Sequence, residues 1–128
     1  MILTDTGILI AFLRTKDAKL GHLLGTRPIA ICGAVRSEVL AGVRNPTELQ
    51  KTLAFLKPFA HVPMPETSWD HVGASLAALY AVGISVPFPD ALIATLGIEN
   101  DIEVWARDPH FVMMQKALPA LKLFQEPP

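Results

Sequence analysis

The stretch ILTDTGILIAF, residues 2–12, sets an aspartate, Asp5, among apolar residues on both sides. An apolar strand tip is a poor place for a lone charge, so Asp5 asks for a partner. Two chemistries use an acid in this setting. In aspartic proteolysis an Asp-Thr-Gly loop follows a short apolar strand, and two such loops share one proton. In metal-dependent phosphodiester chemistry the acid is one ligand among several. Three more of the 12 acids can join Asp5: Glu38, Asp90 and Asp108. Four carboxylates at one edge repel each other unless a cation joins them, and oxygen ligands suit magnesium or manganese. Taken singly, each of the three has a plain alternative. Asp90 sits where it can satisfy a helix N-terminus, Glu38 can be a solvated helix acid, and Asp108-Pro109 is a common turn opening.

The elements that must position these acids follow from periodicity. Residues 2–4 read as a strand and 8–13 as a short helix after a turn at Thr6-Gly7. Residues 28–31 form a second β-like run. Over 34–43, Val35, Val39, Leu40 and Val43 share one helical face. Glu38 falls about 60° outside that face, with Gly42 one turn on leaving room beside it. Arg36 lies within the apolar face, which implies a buried ion pair or an interface. A helix starts at Thr47 and stops before Pro58. Residues 61–62 form a brief strand, 69–80 the longest helix, and Pro89 opens another. Residues 101–105 form a strand, 121–124 a last one, and 125–128 a loose tail. Strands alternating with helices imply a parallel sheet covered on both faces. Sites in such sheets form beyond the carboxyl ends of the strands, where Asp5 and Asp108 fall.

Composition narrows the classes. The 128 residues suit one domain with a real core. The 51% hydrophobic and 18% charged fractions leave apolar surface for a partner. A net charge of −1 gives no overall basic field, so a nucleic-acid site must rest on local arginines or on metal ions. The single Cys32 excludes an internal disulfide, favours a reducing cytoplasm and reads as a buried thiol. The apolar start lacks the cationic region and small-residue cleavage site of a signal peptide. The uncharged run 72–89 contains Gly73, Gly83, Pro87 and Pro89 and reads as a packed helix and loop, not a membrane span. The protease reading weakens because Gly7 is followed by a helical pattern, whereas that reaction needs further strands and a second Asp-Thr-Gly loop. A phosphatase Asp-x-Asp motif fails at Gly7. A phospho-acceptor domain lacks its late lysine, since Lys116 and Lys122 fit poorly.

Three motifs in order, ILTDTGILIAFL, AICGAVRSEVLAGV and PDALIATLGIENDIEVWARDPHF, make the chain resemble a PIN domain of the VapC type, a toxin ribonuclease of toxin–antitoxin systems. The resemblance implies an α/β three-layer sandwich spanning residues 1–124. It further implies a magnesium-dependent endoribonuclease, manganese also serving, that leaves 5′-phosphate and 3′-hydroxyl ends. Its partners would be an RNA substrate, a cognate antitoxin and a second copy of the chain. Asp5, Glu38, Asp90 and Asp108 then form the catalytic and metal-binding pocket, with Asp5 and Asp90 holding the main ion. Arg14 and Arg44 are placed to meet RNA phosphates, or else serve only as surface charge. His110 reads as a bystander. The chain departs from the family at Gly7, where Ser or Asn is usual, and at Ala106, where Thr or Ser is usual. The loss at Ala106 implies a slow enzyme, and it leaves open a non-catalytic PIN module that binds RNA or protein.

Overall fold

A computed structural model describes residues 1–128. Four short strands build one parallel sheet: β1 (Ile2–Thr4), β2 (Ile29–Cys32), β3 (Ala60–Val62) and β4 (Glu103–Trp105), in the order β3-β2-β1-β4. Every residue of β1 and β2 is buried. Successive side chains on a strand point to opposite faces, so helices must cover both sides of the sheet. This is the expected α/β architecture. The helices are α1 (Thr6–Thr15), α2 (Ala18–Thr26), α3 (Gly33–Ala41), α4 (Pro46–Leu56), α5 (Glu66–Ala81), α6 (Phe88–Glu99) and α7 (Pro109–Met114).

Chain direction through the sheet sets the site. From β1 the chain steps outward through β2 to β3, then returns by α5 and α6 to place β4 on the other side of β1. The order therefore reverses between β1 and β4, the place beyond the strands' carboxyl ends where sites form in such sheets. The amide of Asp5 donates to the Trp105 carbonyl there at 2.9 Å and ties the two strand ends together. Helix α6 is the central support. Ala91 to Gly97 are all buried, and a Cβ on Gly97 would lie 2.5 Å from Val104 Cγ2. Only glycine lets α6 lie this close to β4.

Several elements differ from the sequence reading. Helix α2 is not signalled by the periodicity, although Leu20, Leu23 and Leu24 form its buried stripe and Asp17 caps it. Gly21 and Gly25 mask the pattern, and Gly21 is small because Phe12 of α1 packs against it. Helix α7 replaces the turn expected at Asp108-Pro109; Asp108 is its N-cap and Pro109 its first residue. The strand expected from residue 101 begins at Glu103, because Asp101 takes a left-handed φ of 53° in the turn after α6. The last strand expected at 121–124 is reduced to one bridge between Leu123 and Val104. The tail expected at 125–128 is not loose at Glu126, which accepts hydrogen bonds from Arg107 and Trp105. Cys32 is buried as expected, and burial raises its thiol pKa. No helix is long and apolar enough to cross a membrane.

Candidate active site

The four acids arrive from four separate elements. Asp5 directly follows β1 at the N-cap position of α1, yet its side chain makes no cap hydrogen bond. Asp90 is the third residue of α6, whose N-cap is Pro87, and its side chain hydrogen-bonds only with His110. Asp17, Asn45 and Asp108 show what ordinary capping looks like here, each accepting from a backbone amide of its own helix. Asp5 stands at an N-cap without a cap hydrogen bond and Asp90 lies inside the first turn of α6, so capping of the kind seen at Asp17, Asn45 and Asp108 does not account for their carboxylates.

Electrostatics tie the set together. Burial raises the Asp5 carboxyl to about 6, and the Asp90 and Glu38 charges push the same way. The Thr6 and Gly7 amides oppose this shift from the start of α1. Asp90 is also raised, first by burial and then by Asp108 and Glu38, against a hydrogen bond from His110. Asp5, Glu38 and Asp90 thus lie within electrostatic reach of one another, and Asp108 within reach of Asp90. None pairs with a lysine or arginine; His110 is the only basic side chain in ion-pair distance of any of them.

Two residues that sequence reasoning missed complete the site. Thr6 is buried, and its hydroxyl donates to Glu38 Oε1 at 2.8 Å, holding an otherwise exposed α3 acid toward β1. Its signal was the Thr of Asp-Thr-Gly, which reads only as part of a turn. His110, expected as a bystander, is not one. Its Nδ1 lies 3.0 Å from Asp90 Oδ2 and 3.0 Å from Asp108 Oδ1. Asp90, Asp108 and His110 each offer a ligand atom, and these atoms lie within 4.8 Å of one another.

The arginines divide differently. Arg14 and Arg44 line one cleft of about 420 Å³ between α1, α3 and α4, together with Gly42 and Glu48. Neither forms an ion pair. Arg36 is not in the buried ion pair that was one of its two readings: it is half-buried and unpaired, and lines a cavity of about 720 Å³ beside Lys57, Phe59 and His61. That cavity, the largest, contains none of the acids.

Asp5 is half-buried, raised first by desolvation and then by neighbouring acids, and paired with no lysine or arginine, which makes the set a candidate for an external cation. The donor set, carboxylate oxygens with one imidazole nitrogen, fits a divalent metal ion. Comparison with known proteins then decides the family. The PIN domain matches residues 2–116. The chain belongs to the PIN domain family.

Solved structures show the same fold at low sequence identity. A chain of the VapBC2 structure from Rickettsia felis, bound to a DNA fragment from its promoter, superposes with a TM-score of 0.81 at 20% identity, covering 97% of this chain and 98% of that one. FitAcB from Neisseria gonorrhoeae gives 0.75 at 17%, covering 98% of each. A toxin–antitoxin complex from Klebsiella pneumoniae gives 0.74 at 20%, covering 94% and 95%. No sequence among the curated proteins matches.

Proposed function

We propose that this PIN domain is a metal-dependent endoribonuclease, the toxin of a cytoplasmic toxin–antitoxin pair. One observation carries the reading: Asp5 and Asp90 converge at the switch point between β1 and β4, uncapped and unpaired by any lysine or arginine. Membership of the PIN family and a fold shared with chains of toxin–antitoxin complexes support it.

A bound divalent ion would supply activated water and neutralise charge that builds on the scissile phosphate. Asp5 and Asp90 are the residues to hold magnesium or manganese, with Glu38 and Asp108 beside them. Thr6 fixes the Glu38 carboxylate so that it does not swing into solvent. Arg14 and Arg44, unpaired in one cleft, would hold RNA phosphates on the approach to the acids. An antitoxin would then have to cover this edge. A second copy of the chain is expected to pack on α5 and α6, where Trp69 is 49% and Phe88 50% exposed. Light scattering that gives a monomer mass throughout the micromolar range would remove that last part alone.

The decisive experiment is cleavage of total, transfer and ribosomal RNA by the purified protein with magnesium or manganese. Cutting at a limited set of sites is expected, abolished by EDTA and by Asp90→Ala. Because the Asp90 side chain bonds no backbone amide and hydrogen-bonds only with the partly exposed His110, the variant should fold with a loss of about 1 kcal/mol or less. If the parent is as inert as Asp90→Ala on every RNA, the alternative takes over: a PIN module that binds without cutting, with Ala106 in place of the family's hydroxyl as its mark.

A further inference from the structure

Asp90, Asp108 and His110 differ in kind from a purely acidic cluster, because one donor is an imidazole nitrogen. We infer that His110 is a metal ligand through Nδ1, alongside Asp90 and Asp108, and that it turns this edge of the site from magnesium toward transition ions that accept a nitrogen donor, manganese among them. The inference rests on the metal-dependent reading above and adds to it a donor atom and an ion class.

Geometry is the first argument. The imidazole is not merely near the acids; its Nδ1 points between them, 3.0 Å from an oxygen of each. All three donor atoms fall within 4.8 Å of one another, a spread that a single ion can gather without moving an element. The backbone beneath is fixed. Asp108 caps α7, the His110 amide donates to Asp108 Oδ1 at 2.9 Å, Pro109 holds the first helical φ, and Phe111 is buried. His110 thus emerges from an anchored turn, and its ring is oriented before any ion arrives.

Access is the second argument. The side chains of His110 and Asp108 are 36% and 43% exposed, while Asp90 is 16% exposed. The cluster is open to solvent at Asp108 and His110 and more covered at Asp90. Donor chemistry is the third. Magnesium takes oxygen ligands, keeps several waters and gains little from an imidazole. Zinc and nickel take imidazole readily, and manganese, though it favours oxygen, accepts one nitrogen among carboxylate oxygens more easily than magnesium does. A histidine that only bridged the two acids would orient them for every ion alike. A histidine that donates to the metal discriminates among ions.

The test separates these roles without using activity. The full chain is titrated with manganese alone and magnesium alone by calorimetry, and the manganese-bound protein is examined by pulsed electron paramagnetic resonance. Expected are tighter manganese binding and a nitrogen coupling from one histidine. His110→Ala should abolish the coupling and weaken manganese by roughly ten- to a hundredfold, while magnesium affinity stays nearly unchanged. His110→Gln restores a hydrogen-bond donor but not the imidazole, and should behave like the alanine variant. His22, His61 and His71 remain as internal controls, and circular dichroism verifies the fold. Manganese bound with no nitrogen coupling, equal losses for both ions, or full rescue by glutamine would overturn the inference and leave the metal-dependent reading standing. If the parent binds neither ion, that earlier reading falls as well.

Discussion

Two carboxylates are fastened to the same tryptophan and meet opposite fates. Asp5 is tied to Trp105 through the backbone, its amide donating to the Trp105 carbonyl at 2.9 Å. Glu126 is tied through the ring, accepting from the indole Nε1 at 3.1 Å. Beyond that the surroundings diverge. Glu126 accepts two 2.8 Å hydrogen bonds from the Arg107 guanidinium, which hold its carboxyl down at about 2. Asp5 has burial and other acids for company, and its carboxyl rises to about 6. Glu126 already has its cation within the chain, so its charge closes the fold. Asp5 lacks one, and its charge is left for something outside the chain to neutralise. A charged residue marks a site when the chain leaves it unsatisfied, and the two acids can be told apart by removing each.

The larger effect is expected at Asp5. A carboxyl whose folded pKa is raised keeps its proton longer in the fold than in the unfolded chain. For this group, stability is therefore highest below about pH 4, falls as pH rises toward about 6, and is constant above that. The full penalty is on the order of 3 kcal/mol, since every tenfold change in proton affinity between the two states is worth about 1.4 kcal/mol. Metal-free Asp5→Asn should be more stable than the parent at pH 7.5, with the advantage vanishing near pH 4. Added magnesium or manganese should raise the melting temperature of the parent and barely move that of the variant. A variant that is weaker without metal and still responds to it would place Asp5 outside the metal's ligands.

Glu126→Gln should do the reverse on a smaller scale. Its lowered pKa stabilises the fold above about pH 4.5, and that contribution is lost as pH falls toward 2. Arg107 is half exposed, so solvent screens the pair and reduces its worth to about 1 kcal/mol. Denaturant titrations at pH 7 should show that loss, and at pH 3 much of it should have disappeared. The metal-induced rise in melting temperature should be unchanged. A lost metal response would mean that the Trp105 anchor couples the two acids, and the contrast between them would fail.

The same contrast explains what was legible in the sequence. Asp5, Glu38, Asp90 and Asp108 could be brought to one edge because strand ends and a helical period are local signals. The β-α alternation likewise implied the parallel sheet. Features that depended on distant partners were hidden. Nothing near Glu126 in the chain announces Arg107, 19 residues earlier, so the segment reads as a tail. Thr6 meets Glu38 across 32 residues, and a buried threonine carries no periodic mark. His110 is easily discounted because a histidine beside a proline looks like turn filler; Asp90, 20 residues before it, gives it a role. Helix α2 was hidden for the opposite reason, its stripe being local but interrupted by Gly21, which makes room for Phe12 of another helix, and by Gly25.

The smallest expected effect sharpens the comparison most, because it would give Asp5 part of what Glu126 already has. A Cβ built on Gly7 meets one atom outside its own helix within 4 Å, Asp5 Oδ2 at 3.4 Å, which is ordinary contact. Gly7 is helical and has no positive φ, so its lack of a side chain serves no backbone need. Gly7→Ser therefore fits, and its hydroxyl would emerge beside the Asp5 carboxylate as a donor. Two gains follow: roughly 0.5 kcal/mol from replacing glycine inside a helix, and a hydrogen bond that favours the charged carboxylate. Gly7→Ala replaces the glycine without the hydroxyl, and as the better helix former it exceeds serine on that count by ~0.5 kcal/mol. A hydrogen bond to the charged carboxylate, worth about 1.5 kcal/mol, outweighs that difference, so serine should exceed alanine in metal-free stability at pH 7.5 by up to ~1 kcal/mol. It should also move the Asp5-dependent fall in stability to lower pH. If the serine and alanine variants have the same stability and the same pH profile, the hydroxyl does not reach Asp5, and that acid's need for a partner must be met from outside the chain alone.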